Sequence, residues 1–217
     1  MTQPYGTLTR YTLLERINHW ITGLCFVLLT LSGLALFHPL LFWLNGLFGG
    51  GQWTRAIHPW IGIVLVISYI GLIFQFLRDN LPSAGDGAWI RSLRYVLSNQ
   101  DQSVPEVGRC NPGQKFVFWA MALLIGALFV SGIVIWQAHF FTYTTIQQQR
   151  VGHLVHAIAA TGAIVVWIIH VYSAIWVRGS VRAMTRGYVT PGWAWRHHRK
   201  WLRELAASGS SGPRPNR

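Results

Sequence analysis

Four histidines occupy places where histidine is rarely found. His19, His58, His156 and His170 each fall within or at the edge of a long apolar run. An ionisable ring in such surroundings is costly to bury and is usually functional. In "HLVHAIAATGAIVVWIIHVY" (153–172), His156 and His170 are fourteen residues apart. In a helix that spacing is roughly 40° short of four turns, so both rings leave nearly one face, about 21 Å apart along the axis. His153 points roughly 100° away from the direction of His170. His156 is therefore the better partner for whatever His170 serves.

The runs that carry these rings set their depth. Of 217 residues, 52% are hydrophobic and 11% charged, against about 25% charged in soluble domains. Four stretches reach the roughly 20 apolar residues that a bilayer crossing needs: 17–37, 59–77, 116–136 and 154–177. None contains Asp or Glu, and Trp20, Trp60, Trp119, Trp136 and Trp176 lie near their ends, as an interfacial aromatic belt requires. The basic residues sort by side. The N-terminal arm, the loop after the second span and the C-terminal tail together hold sixteen Lys and Arg, and the other side holds only Arg55 and Arg150. Positive charge stays inside, so the chain is expected to be multi-pass, with both termini and the middle loop in the cytoplasm. The net charge of +12 then reflects topology, and no nucleic-acid partner is expected. The N-terminus shows no cleavable signal pattern.

With that orientation the histidines fall into two depths, His58 with His156 at the outer level and His19 with His170 at the inner. His58 is expected to open the second span, with Pro59 in the favoured first helical position. Paired imidazoles without an intramembrane carboxylate suit axial ligation of two b-type haems, because neutral imidazole ligates haem iron well. Ligation also removes the cost of a buried ring nitrogen without a partner. A proton relay would call for acidic residues that the spans lack. Hydrogen-bonded helix packing could explain one such histidine, but explains four at two matched depths poorly. One turn after each comes Gly23, Gly62, Ala160 or Ala174, which either clears space for a flat macrocycle or lets helices pack closely. His38, His139 and His153 read as interfacial side chains, and His197 and His198 as solvated members of the basic tail. Cys25 and Cys110 form no CxxC, CxxCH or zinc spacing and read as two unpaired thiols.

The fold class expected is an all-α integral membrane protein, a four-transmembrane-helix bundle binding two haems. Outside the spans, "AWIRSLRYVLSN" (88–99) has Trp89, Leu93 and Val96 on one stripe and predicts a short interfacial helix. "WAWRHHRKWLREL" (193–205), after the breaker "TPG", predicts a cytoplasmic amphipathic helix. The membrane domain is expected to cover 1–205, and 206–217 to be a disordered tail.

Taken together, "RINHW" (16–20), "RAIHPWIGI" (55–63), "GRCNPGQK" (108–115), "VSGIVIW" (130–136), "HAIAATG" (156–162), "IHVYSAIWVRGSVRAM" (169–184) and "HHRKWLREL" (197–205) resemble the cytochrome b, or gamma, subunit of respiratory formate dehydrogenase over about residues 10–205. The resemblance implies two haem b groups held at the same four positions, His58 and His156 for the outer and His19 and His170 for the inner. It implies a quinone pocket, for menaquinone or ubiquinone, at Asn111, Gly113, Gln114 and His170. Pro112 stands where the resemblance leads one to expect alanine, and proline removes one backbone donor. Its implied partners are an iron–sulfur beta subunit and a molybdenum or tungsten alpha subunit, with trimers of heterotrimers. Electrons would pass from the iron–sulfur subunit to quinone with proton uptake from the cytoplasm. Formate oxidation would lie on the catalytic partner, and no catalytic residue is assigned here. The related alternatives are a cytochrome b of a hydrogenase or thiosulfate reductase complex and a stand-alone dihaem superoxide or quinone oxidoreductase; a haem-free anchor or transporter is the alternative of another class. Read from its residues alone, "NPGQK" offers amides that can hydrogen-bond a quinone carbonyl, and equally a Pro-Gly turn that caps the third span.

The charge asymmetry generates a topological prediction. A C-terminal fluorescent-protein fusion should glow and a C-terminal alkaline phosphatase fusion should be inactive; the opposite pair of results would reverse inner and outer at every histidine.

Overall fold

Each membrane helix runs past the stretch that hydropathy marks, because a polar first turn is fixed by its own side chains. In the computed structural model, which describes residues 6–98, 100, 103–136, 139 and 143–209, α1 spans Leu13–Phe37, α2 Gly51–Phe76, α5 Pro112–Ile135 and α6 Ile146–Trp176. All four are long and apolar enough to cross a membrane. Even α5, with 24 residues, reaches about 36 Å against a hydrocarbon core of about 30 Å. The protein is thus a multi-pass, helical membrane protein. Short elements join the spans: 3₁₀ helices at Pro39–Phe48 and Arg78–Asn80, then α3 (Asp86–Arg91), α4 (Leu93–Leu97), α7 (Ser180–Arg186), α8 (Pro191–His197) and α9 (Arg199–Ser208). Strand β1 (Leu8–Thr9) pairs antiparallel with β2 (Tyr188–Val189).

Reciprocal capping explains three of the four starts. Thr12 N–H donates to Glu15 Oε2 at 2.7 Å while Glu15 N–H donates to Thr12 Oγ1 at 3.3 Å. Asn111 and Gln114 make the same exchange before α5, at 2.9 Å each way, and Thr145 and Gln148 before α6, at 2.8 and 3.2 Å. Each pair satisfies donors that a helix N-terminus leaves without partners. For α2, Gly49 and Gly50 at φ 83° and 103° turn the chain, and Thr54, wholly buried, donates from Oγ1 to the Gly50 carbonyl at 3.0 Å. The helix therefore begins at Gly51, and Pro59 lies inside it. This corrects the expectation that His58 opens the span. The polar Gln52, Thr54 and Arg55 hide the extra turns, and Pro59 leaves the Arg55 carbonyl without its usual helical donor.

The chain forms two compact units. The four-helix unit comprises Ile17–Phe74 and Trp119–Ile168. Within it, Ser68 on α2 donates to Asn18 Oδ1 on α1 at 2.7 Å, and Phe26 on α1 lies 5.8 Å from Trp167 on α6. A Cβ on Gly152 of α6 would come within 3.0 Å of Val134 on α5, so that glycine permits a close helix crossing. Leu24, Ile67 and Leu123 remain exposed, as a lipid-facing surface requires.

The second unit comprises Met1–Arg16, Gln75–Phe118 and Ile169–Arg217. Its apolar centre is Ala183, Val189, Ala194, Trp201 and Leu205. Against this centre lies Arg10, which is wholly buried, with its guanidinium 4.6 Å from the Trp201 ring centroid. Arg10 donates to the carbonyl of Arg109. Arg109 in turn pairs with Asp79 at 2.6 Å and Glu15 at 3.0 Å. Burial alone would lower the Arg109 pKa, but the carboxylates of Asp79 and Glu15 outweigh it and hold the group above its ordinary value. A buried charge that keeps its partners is tolerated; one that loses them is strongly destabilising.

Two predicted helices are divided. The 88–99 stretch breaks at Ser92, whose backbone N–H is shared between the Ala88 and Trp89 carbonyls, giving α3 and α4 in place of one interfacial helix. Of its stripe only Trp89 is buried, while Leu93 is exposed; Asn99 lies outside the described residues. The C-terminal amphipathic helix breaks at His198, at φ −147° and ψ 53°, into α8 and α9. The second piece continues to Ser208. The rest of the expected disordered tail, from residue 210, lies outside the described residues.

His198 is also not solvated as expected: it is 2% exposed. Its Nδ1–H donates to the Gly108 carbonyl at 2.8 Å, and Arg10 donates to its Nε2 at 3.3 Å. A second proton on the ring would face that guanidinium. Burial first, and then Arg10, holds the His198 pKa well below its ordinary 6.5. The unfolded chain takes up a proton below that ordinary value and the folded chain does not, so stability is full above it and declines as pH falls. His198→Gln should flatten the decline between about pH 5 and 6.5 in thermal unfolding of the detergent-solubilised protein. An acid limb identical in wild type and variant would contradict this role.

Candidate functional site

His58 and His156 meet in the four-helix unit. The ring of His58 on α2 and that of His156 on α6 have centroids 6.4 Å apart and planes inclined at 62°. Each ring is held from behind by a serine on a third or fourth helix. Ser32 Oγ on α1 lies 2.7 Å from His58 Nδ1, and Ser131 Oγ on α5 lies 3.0 Å from His156 Nδ1. With Nδ1 engaged on both rings, Nε2 is the nitrogen each has left to offer. Beside each serine is a glycine. A Cβ on Gly33 would sit 3.5 Å from His58 Cε1, and one on Gly132 the same distance from His156 Cε1, so each ring lies against helix backbone. His153, one turn earlier on α6, is exposed while His156 is half-buried.

Two of the small residues one turn after the histidines face open space. A Cβ on Gly23 or Gly62 would meet nothing within 4 Å among the described residues. Close packing against a neighbouring helix therefore does not explain those two glycines. Ala160 and Ala174 are half-buried. Two residues after His58 on α2, Trp60 packs edge to face with Trp136 at 5.3 Å, and His139 lies 4.6 Å from Trp136. His38 accepts from the Leu40 N–H at 3.2 Å, so it caps the 3₁₀ helix Pro39–Phe48.

His19 and His170 belong to different units and are described separately. His19 is half-buried in the four-helix unit, seven residues into α1, and packs edge to face on Trp20 at 5.7 Å. His170 is half-buried in the second unit, six residues before the end of α6.

The polar segment before α5 is also in the second unit. Asn111 and Gln114 are the capping pair of α5, so the turn reading of "NPGQK" is realised. Each capping bond uses the side-chain carbonyl oxygen, which leaves both amide NH₂ groups as donors. Pro112 occupies the first helical position, where the missing N–H would have no helical partner anyway. Gly113 lies under the Trp89 ring, its would-be Cβ 3.6 Å from Cη2. Lys115 is anchored to Asp86 at 2.8 Å and to Ser83 at 3.2 Å. Burial acts to raise the Asp86 pKa, but the hydrogen bonds from Lys115 and Ser83 prevail and lower it.

Residues 10–187 match the family described as prokaryotic cytochrome b561. The chain belongs to that family. It is accordingly a membrane cytochrome b, and haem b is the cofactor of the family. It is also 41% identical over 199 residues to the "Formate dehydrogenase, cytochrome b556(fdo) subunit" of Escherichia coli (strain K12), covering 92% of this chain and 93% of the relative. The nitrate-inducible cytochrome b556(Fdn) subunit of the same strain is 36% identical, with 91% of each chain covered. The cytochrome b556 subunit of formate dehydrogenase from Haemophilus influenzae is 35% identical, covering 93% of this chain and 84% of the relative.

The His58–His156 pair fits such a cofactor. Two imidazoles on opposite sides of one metal, each bonded at about 2 Å with its ring centre about 1 Å further back, place their centroids about 6 Å apart. The observed separation is 6.4 Å. Among the described residues no group of three or more His, Cys, Asp or Glu side chains could hold a bare metal ion. Two imidazoles suffice where a porphyrin supplies the other ligands.

Sequence reasoning missed Ser32, Ser131, Gly33 and Gly132. Their signal was present as a repeated Ser-Gly pair, in "LSGLALF" (31–37) and "VSGIVIW" (130–136).

Proposed function

We propose that this chain is the membrane cytochrome b subunit of a formate dehydrogenase complex, and that it passes electrons from an iron–sulfur partner subunit through two b haems to a quinone. The observation that carries the reading is the His58–His156 pair at 6.4 Å. The identity of 35–41% to formate dehydrogenase cytochrome b556 subunits over most of the chain supports the choice of complex. A bound b haem supplies one-electron chemistry at its iron. His58 and His156 would hold the outer haem, and His19 and His170 the inner. The second pair is supported by position: the start of a first span and the end of a fourth lie on the same side of a membrane crossed four times. The sixteen-to-two distribution of Lys and Arg supports that side as cytoplasmic, in a bacterial inner membrane.

Quinone reduction consumes two electrons and two protons, so its site must reach water as well as a haem. Asn111 and Gln114 support a site at the start of α5, because capping leaves their NH₂ groups to donate to a quinone carbonyl. Gly113 belongs to the same turn, where Trp89 covers it, and His170 would line the same pocket. Formate oxidation belongs to a molybdenum or tungsten partner, and a trimer of such heterotrimers is the assembly we infer.

Two measurements test this reading. A pyridine haemochrome assay should find two haems per chain, one of them lost in His58→Ala or His156→Ala and the other in His19→Ala or His170→Ala. Retention of both haems in His156→Ala with loss of one in His153→Ala would contradict the pairing. For the quinone, Gln114→Glu and Asn111→Asp keep the capping oxygens but remove NH₂ donors. Losing one such bond, worth about 0.5–1.5 kcal/mol, should slow donor-to-quinone turnover about two- to tenfold at unchanged haem content. Full turnover in both variants would exclude the pocket.

A further inference from the structure

The two Ser-Gly pairs do matching work on different helices. Ser32 meets a histidine 26 positions further along the chain, and Ser131 one 25 positions further. Both serines are buried, at 0% and 4% exposure. Each has a second partner that decides the direction of its bond to histidine. Ser32 Oγ donates to the Leu28 carbonyl at 2.7 Å, and Ser131 Oγ donates to the Ala127 carbonyl at 2.6 Å. A hydroxyl has one proton to give. With that proton committed to a carbonyl, the oxygen can only accept from the imidazole. His58 and His156 must then each carry a proton on Nδ1, which leaves the Nε2 lone pair for a metal. In this way the helix backbone polarises the serine and the serine polarises the ring.

We infer that Ser32 and Ser131 are positioning residues for the haem held by His58 and His156, fixing the tautomer of each ring and raising the electron-donating strength of its Nε2. This rests on the reading of those two histidines as axial ligands. An Nδ1–H that donates to an acceptor makes the imidazole a stronger base toward iron. A stronger base favours ferric over ferrous iron and lowers the midpoint potential. Ser32 and Ser131 stand in the same relation to their rings, so the potential should depend on both.

The test is a redox titration of the intact, detergent-extracted complex, with haem content measured on the same samples. Ser32→Ala should keep two haems per chain and raise the potential of one, leaving the other unmoved. A tenfold change in the ratio of ferric to ferrous affinity corresponds to about 59 mV for a one-electron couple. Ser131→Ala should move the same haem in the same direction. Ser32→Thr retains the hydroxyl and should restore the wild-type potential. Loss of that haem alone from Ser32→Ala, rescued by Ser32→Thr, would equally support the role, since such outer partners contribute about 10- to 100-fold in metal affinity. Wild-type potentials in both alanine variants, equal shifts of both haems, or loss of both haems unrescued by threonine would overturn it. His58→Ala run in parallel separates the two claims. If it kept both haems the axial-ligand reading would fail, whereas loss of one haem there with unmoved potentials in the serine variants would overturn only the serine role.

Discussion

A ring nitrogen in hydrocarbon must find a partner, because no water is present to supply one. An imidazole has two such nitrogens, and this requirement organises the four-helix unit. At His58 and His156 the serines of α1 and α5 take one nitrogen each. On our proposal the second nitrogen of each is left for a metal, and the 6.4 Å separation of the rings leaves room for one between them. Each serine hydroxyl is already anchored to its own helix, and each ring packs over the glycine beside its serine, where a Cβ would lie 3.5 Å from Cε1. Two short polar chains thereby tie α1 to α2 and α5 to α6.

The second unit answers the same requirement with charge. Five of its ionisable groups are joined in two clusters, Arg109 with Glu15 and Asp79, and Lys115 with Asp86. A chain with only six acidic residues places three of them there. Arg10 carries no carboxylate partner in that arrangement; it is held by the Arg109 carbonyl, by neutral His198 and by the face of Trp201. Neutral His198 is thus needed for Arg10 to be buried, and it explains why a histidine from a basic tail is found in a core.

The sequence made the spans and the histidine phase legible because both rest on periodicity. Acidic residues are missing from the apolar runs, and a fourteen-residue spacing fixes a face whatever packs on it. What escaped depended on contacts between residues far apart in the chain. His198 reads as solvated among Arg196, Arg199 and Lys200 until Gly108 and Arg10 are brought to it. Pro59 reads as a helix start because the turn before it is polar. The Thr12–Glu15 and Thr145–Gln148 caps were readable as local patterns, and overlooking them shortened both helices. The Ser-Gly repeat was visible too, but serine in an apolar helix is ordinarily satisfied by its own backbone, so only the ring contacts give it meaning.

The central claim is that His58 and His156 bind one haem iron from opposite sides. Electron paramagnetic resonance of the oxidised complex tests it most directly, through the 62° angle between the rings. Crossed imidazole planes treat the two π-type d orbitals of low-spin ferric iron almost alike, which spreads the g-values widely. The account predicts a highly anisotropic low-spin signal that disappears in His156→Ala while a second low-spin signal persists. A high-spin ferric signal in the wild type, or an anisotropic signal that survives in both His58→Ala and His156→Ala, would contradict it.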